Sequence, residues 1–71
     1  MRRCSTPAQA RARLQPQLCL MRAEAGSCSS WEERYHWDQE VGLCRTFNWS
    51  GCGGNSNNFR NREKCVYRCG L

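Results

Sequence analysis

The sequence predicts a small disulfide-rich α+β domain, and three observations carry that expectation. Seven cysteines stand among 71 residues, far above ordinary usage. Residues 32–49 read as two aromatic-rich strands about a glycine turn. The chain then closes on a short helix in which Cys65 and Cys69 lie four apart, on one face. One domain is the most this length allows. A chain so short buries only ~60% of the surface its unfolded form exposes, so its apolar core alone is marginal. Cysteine density of this kind belongs to oxidising compartments, and the protein is expected to be secreted or extracellular.

In chain order, residues 1–16 read as a flexible basic tail, polar and broken by Pro7 and Pro16. Residues 1–18 carry four arginines and no acid, whereas residues 19–71 carry seven basic and six acidic side chains. The folded part is therefore close to neutral. A short basic tail can attract polyanions such as sulfated glycans or anionic lipid, although a solvated leader without a partner is the simpler reading. Met21 to Ser30 reads as irregular chain bent at Gly26. Glu32 to Asp38 forms the first strand, with Tyr35 and Trp37 on one face and Arg34, His36 and Asp38 on the other. Gln39 to Gly42 turns the chain, Gly42 being free to take positive φ. Leu43 to Trp49 returns, and Ser50 to Asn58 is a glycine- and asparagine-rich loop. Asn61 is placed to cap a helix over Arg62 to Cys69, with Gly70 as its stop.

The composition excludes several functions. A lone histidine, His36, without a Cys–His pair or an isolated acid pair, argues against an enzyme. The absence of any Cys-x-x-Cys pair argues against a metal site, and nothing calls for a cofactor. The aromatics Trp31, Tyr35, Trp37, Phe47, Trp49 and Tyr67 are expected to pack in core and hairpin, not to form a nucleic-acid platform, because the folded part is nearly neutral. No apolar run is long enough for a transmembrane segment. No secretory signal peptide is visible in the chain, in tension with export; a mature fragment, an internal exon product or an added Met1 would each account for that. The acid-free start is also similar to an organelle transit peptide, but Pro16 interrupts any amphipathic helix.

After Cys4 the cysteines keep a rhythm: Cys19, eight residues, Cys28, fifteen, Cys44, seven, Cys52, twelve, Cys65, three, Cys69. Gly26, Cys44-x-Thr46-Phe47, Gly51-Cys52 and Asn57-Asn58-Phe59 accompany it. This pattern resembles the Kunitz (pancreatic trypsin inhibitor) family over about residues 17–70. The resemblance implies a Kunitz-type domain over 17–71, a short helical turn at Gln17 to Leu20, a twisted antiparallel hairpin and a buried asparagine at Asn57. Fifteen pairings of six cysteines are open to sequence alone. The family implies Cys19–Cys69, Cys28–Cys52 and Cys44–Cys65. Cys4 is then left over, and in an exported protein an odd cysteine points to an intermolecular disulfide or a reactive thiol.

The resemblance also implies a protease-binding loop, Gly26, Ser27, Cys28, Ser29, Ser30, Trp31 and Glu32, with Ser29–Ser30 as the reactive bond. Asn48, Trp49, Ser50, Gly51 and Cys52 would form a secondary contact loop. Trypsin-directed members carry Lys or Arg where Ser29 stands, so a serine protease with a small primary pocket, elastase-like or subtilisin-like, is the expected partner. Inhibitory members usually carry Gly at Ser50 and Tyr at Trp49. These departures keep open an alternative, a non-inhibitory module for extracellular protein interaction or channel binding. Finally, Asn48-Trp49-Ser50 is a glycosylation acceptor pattern, although the bulky Trp49 makes it a poor one.

Overall fold

The computed structural model describes residues 15–70. Cys4 and the tail up to Leu14 lie outside the described residues. The first element is a single 3₁₀ turn, Gln17–Leu20, entered from Pro16, whose carbonyl accepts from the Cys19 N–H at 3.1 Å. An irregular stretch leads to β1 (Glu32–Asp38), a four-residue turn, β2 (Leu43–Trp49) and finally α1 (Arg62–Cys69). These are the elements and boundaries expected from the sequence.

The strands pair antiparallel from Glu32↔Trp49 to Asp38↔Leu43. Gly42 takes φ 68°, and its N–H closes the turn on the Asp38 carbonyl at 2.8 Å. Alternation then sorts the side chains. Tyr35 and Trp37 share the inner face with Cys44 and Thr46. Arg34, His36 and Asp38 share the outer face with Phe47, Arg45 and Leu43. His36 meets Phe47 edge to face at 5.4 Å, and Arg45 pairs with Asp38 at 3.4 Å.

Asn61 caps α1 by accepting from the Lys64 N–H at 2.9 Å, with Glu63 in the first turn and Arg68 in the last, as the helix dipole favours. Cys65 and Cys69 face inward. Together with Cys19, Cys44 and Trp37 they make up the buried core, flanked by Leu18, Tyr35 and Phe59. Four of these five core residues are half-cystines. The disulfides thus supply apolar volume as well as cross-links. The bonds are Cys19–Cys69, Cys28–Cys52 and Cys44–Cys65, with sequence separations of 50, 24 and 21. Loop entropy assigns each roughly 3–4 kcal/mol taken alone; they share chain and do not add. Cys44–Cys65 anchors a hairpin that would be marginal by itself.

Asn57 is fully buried and replaces a missing strand. Its Oδ1 accepts from the Trp37 N–H at 2.9 Å, and its Nδ2 donates to the carbonyls of Met21 (2.8 Å) and Trp37 (3.0 Å). Beside it, Tyr35 and Phe59 exchange backbone bonds of 2.9 and 2.8 Å. Two aromatics depart from the packing expectation. Trp31 is exposed because it sits on a protruding loop, and Tyr67 is exposed because it lies two residues from both Cys65 and Cys69, about 200° round the helix from each. Gln15 is buried, and its side-chain amide donates to the Cys69 carbonyl.

Candidate functional site

Residues 26–32 form an exposed loop, Gly26 to Glu32, tied at Cys28 to Cys52. Gly26 opens it at φ 84°, where a side chain would bring Cβ within 1.9 Å of the Cys52 carbonyl oxygen. Only glycine lets the two strands of chain approach so closely. Gly26→Ala is therefore expected to open the loop or break its bonds, at about 2–4 kcal/mol from positive φ and backbone clash together. Thermal unfolding under oxidising conditions measures the loss.

The loop is held from beneath by Ser50, which is fully buried. Its N–H donates to the Ala25 carbonyl at 2.8 Å, and its carbonyl accepts from the Ser30 N–H at 2.7 Å. Its hydroxyl accepts from the Cys28 N–H at 3.0 Å and donates to the Cys52 carbonyl at 3.1 Å. One residue thus secures the chain before, inside and opposite the Ser29–Ser30 bond. The resemblance read from the sequence implies glycine at this position and so casts doubt on Ser50. Ser50 nonetheless adopts negative φ, since Trp31 is the one non-glycine residue with positive φ among those described. Its hydroxyl also satisfies two loop groups that glycine would leave to other partners. Ser50→Ala is expected to destabilise the domain by about 2 kcal/mol, because two partly buried backbone groups lose their partner. Denaturant titration with the disulfides intact tests it.

Trp31 lies just past the Ser29–Ser30 bond, more than half exposed, with φ 30°. This is an uncommon backbone state for a bulky residue, and it is maintained by the anchored chain on either side. Glu32 starts β1 opposite Trp49. A four-residue cluster fixes both. Arg34 reaches Glu32 Oε2 through Nη2 (2.9 Å) and Nε (3.1 Å), and reaches Asn58 Oδ1 through Nη1 (3.1 Å). Its guanidinium lies 4.3 Å from the centroid of the Trp49 ring. Trp49 Nε1 donates to the Gly53 carbonyl at 3.1 Å. Trp49 is thereby held on its face and at its edge.

The structure brings Ser29, Ser30, Trp31, Glu32, Trp49, Ser50, Gly51 and Cys52 to one end of the hairpin. Asn48, on the inner-face alternation and opposite Glu33, is exposed. Sequence reasoning gave no site role to Arg34 or Asn58. The signal was there for Arg34: it is two residues from Glu32 on the same strand face, diagonal to Trp49. Among the described residues no group of His, Cys, Asp or Glu is arranged to hold a metal, and no helix is long and apolar enough to cross a membrane.

Comparison with known proteins agrees with this geometry. The sequence matches the Kunitz/Bovine pancreatic trypsin inhibitor domain over residues 18–70. It is 43% identical over 54 residues to tissue factor pathway inhibitor of Rattus norvegicus, covering 76% of this chain but 18% of that protein's length. It is 43% identical over 56 residues to Kunitz-type protease inhibitor 3 of Homo sapiens, covering 79% of this chain and 63% of that protein. Spleen trypsin inhibitor I of Bos taurus is 40% identical over 67 residues, 94% of this chain and 66% of that protein. Among solved structures, conkunitzin-S1, a Kunitz-fold cone snail neurotoxin, superposes with a TM-score of 0.76 at 36% identity, covering 78% of this chain and 98% of that one. A chain from the complex between SmCI and human carboxypeptidase A4 reaches 0.80 at 35% identity, covering 87% of this chain and 38% of that one. Cysteine rhythm, disulfide pairing, strand register and these matches together place the chain in the Kunitz/bovine pancreatic trypsin inhibitor domain family.

Proposed function

We propose that this domain is an exported, non-enzymatic inhibitor of serine proteases, acting by substrate-like insertion of Cys28-Ser29-Ser30. The observation that carries this reading is the Ser50 clamp beside the Cys28–Cys52 bridge. A loop held in one shape before binding loses little entropy on association. After attack on the Ser29 carbonyl, the Ser30 amine is the leaving group, and the Ser50 carbonyl keeps it in place. The bridge keeps the acyl side close. Reformation of the bond then competes with hydrolysis.

Ser29 sets the target class. A hydroxymethyl side chain fills a shallow primary pocket and leaves a deep charged one unpaired, so elastase-like and subtilisin-like enzymes are favoured over trypsin-like ones. Similarity to curated protease inhibitors and the three disulfides support the reading. The test is a panel of serine proteases titrated with folded chain. Tight, stoichiometric inhibition of a small-pocket enzyme is expected, with trypsin weaker by about a hundredfold or more. Uniform failure across the panel would favour the second reading, a channel-directed or interaction module. That reading is supported by the likeness, at a TM-score of 0.78, to a chain solved in a study of pore-modulating toxins that block K+ channels.

The glycosylation pattern gains a structural consequence. Asn48 is exposed, but the Ser50 hydroxyl that completes the pattern is buried and doubly bonded. The acceptor is thus closed once the Cys28–Cys52 loop forms. Chain expressed through a secretory pathway is expected to gain mass from a glycan on Asn48 when disulfide formation is delayed by mild reductant, and less when oxidation is prompt. Equal occupancy in both conditions would contradict this order of events. A glycan at Asn48 would stand beside the reactive bond and obstruct a surface that must bury ~800 Å² on each partner.

A further inference from the structure

We propose, on the footing that this domain is a serine protease inhibitor, that Trp31 and not Ser29 is the principal anchor of the reactive loop, and that the target enzyme carries an apolar recess on its leaving-group side. The acyl side of the Ser29–Ser30 bond offers only small side chains: Gly26, Ser27, Cys28 and Ser29. Cys28 is tied to Cys52. Burying a hydroxymethyl group removes little apolar area from water, so Ser29 decides which pockets admit the loop but adds little affinity. Past the bond the loop changes character. Trp31, the second residue on the leaving-group side, is 58% exposed, and an indole is among the largest apolar surfaces a side chain carries. Among the described residues, the other large hydrophobics left exposed are Leu20, Met21, Val41, Leu43, Val66 and Tyr67, none of them in this loop.

The indole is presented on fixed backbone. Just before it, the Ser30 N–H donates to the Ser50 carbonyl at 2.7 Å. Just after it, Glu32 begins β1 opposite Trp49. The φ of 30° at Trp31 is held between these two anchors. Backbone ordering is thus complete before the enzyme arrives, and a tryptophan has only two χ angles left to fix. The neighbouring Trp49 is already engaged, its ring against the Arg34 guanidinium and its Nε1 on the Gly53 carbonyl. Charge beside Trp31 is compensated as well, since Glu32 pairs with Arg34 at 2.9 Å. What Trp31 offers is therefore mainly apolar surface, and an apolar recess matches it better than a charged one. Its anchoring also serves resealing, because Trp31 belongs to the same fragment as the Ser30 amine. That amine attacks the Ser29 ester of the acyl-enzyme, the peptide bond forms again, and the enzyme's serine oxygen leaves as a hydroxyl with the amine's proton.

The full folded chain, W31A, W31F and S29A are titrated against the small-pocket protease that the unaltered chain inhibits most strongly. W31A is expected to bind at least about thirtyfold more weakly, as at an interface hot spot, and S29A less than about tenfold more weakly. W31F keeps an aromatic ring and is expected to fall between the unaltered chain and W31A. The disulfide map and thermal midpoint of W31A should not change, since the indole is more than half exposed. Affinity of W31A within about threefold of the unaltered chain, or a larger loss for S29A than for W31A, would overturn the proposal and leave the inhibitor reading standing. Inhibition of no protease at all would end the inhibitor reading and the proposal with it. If W31A does not keep its disulfide map, peptides of residues 26–32 carrying C28A, with and without W31A, decide the matter as substrates of the same enzyme. A kcat/KM at least about fivefold lower for the W31A peptide is then expected, and equal values would overturn the proposal.

Discussion

Ser29→Arg is expected to turn the domain into a trypsin inhibitor, with affinity for trypsin rising about two to three orders of magnitude. The gain comes from one contact. A guanidinium reaches the carboxylate at the bottom of trypsin's primary pocket and pairs with it in a water-excluded setting, where such a pair is worth several kcal/mol. Nothing else in the loop has to change, because its shape is fixed by Gly26, Ser50 and the Cys28–Cys52 bridge and not by the Ser29 side chain, which is exposed. Inhibition constants for trypsin and for an elastase-like enzyme, measured on both forms, decide the matter. Loss of elastase-like inhibition should accompany the gain. If trypsin binding fails to rise while the fold is unchanged, the loop geometry is unsuited to proteases, and S29R/S50G separates Ser50 from the positive φ at Trp31 as the cause.

Asn57→Ala is expected to produce the largest loss of stability of any single side-chain truncation away from the cysteines, about 3–5 kcal/mol. The side chain is fully buried and serves three backbone groups: the Trp37 N–H and the carbonyls of Trp37 and Met21. Alanine leaves all three without that partner, the two on Trp37 in buried positions, and each unsatisfied buried group costs about 1–3 kcal/mol. A domain of this size has little more than that in reserve. Denaturant unfolding with the disulfides intact measures the loss. Asn57→Asp is expected to fare no better, since it replaces two donated bonds with a buried charge.

The fold was legible because its determinants are local or covalent. The Glu32–Asp38 and Leu43–Trp49 alternation, the Gly42 turn and the Asn61 cap are each written within a few residues, and both strands and the helix lie where the sequence places them; the Gln17–Leu20 turn came from the resemblance. The pairing of cysteines came from resemblance and not from spacing, since spacing alone leaves the choice open. Composition was a weaker guide for the aromatics. Trp31 and Tyr67 are exposed, because a large apolar side chain does not reveal whether its backbone points at the core or away from it.

The site was legible in outline and hidden in its supports. The loop from Gly26 to Glu32 was named from the family resemblance and not from the residues themselves. The role of Ser50 could not be read, because the resemblance implies glycine there and a serine then signals crowding, whereas the structure shows its hydroxyl bonded to both the Cys28 and the Cys52 chain segments. Arg34 was legible only in part, through its place beside Glu32 on one strand face. Its grip on Glu32, Asn58 and Trp49 depends on the register of two strands and on a loop residue twenty-four positions away.

Substrate-like binding through the Ser29–Ser30 bond is tested most directly by approaching its equilibrium from both sides. Intact chain and chain cut between Ser29 and Ser30, with the disulfides unbroken, are each incubated with a catalytic amount of an inhibited small-pocket protease, and the two forms are quantified by mass, which differs by one water. Both mixtures are expected to converge on the same ratio of intact to cut chain, with no cleavage elsewhere, because the Ser50 carbonyl and the Cys28–Cys52 bridge hold the new ends in reach of each other. A cut form that never reseals, or cleavage at a different bond, would contradict the account.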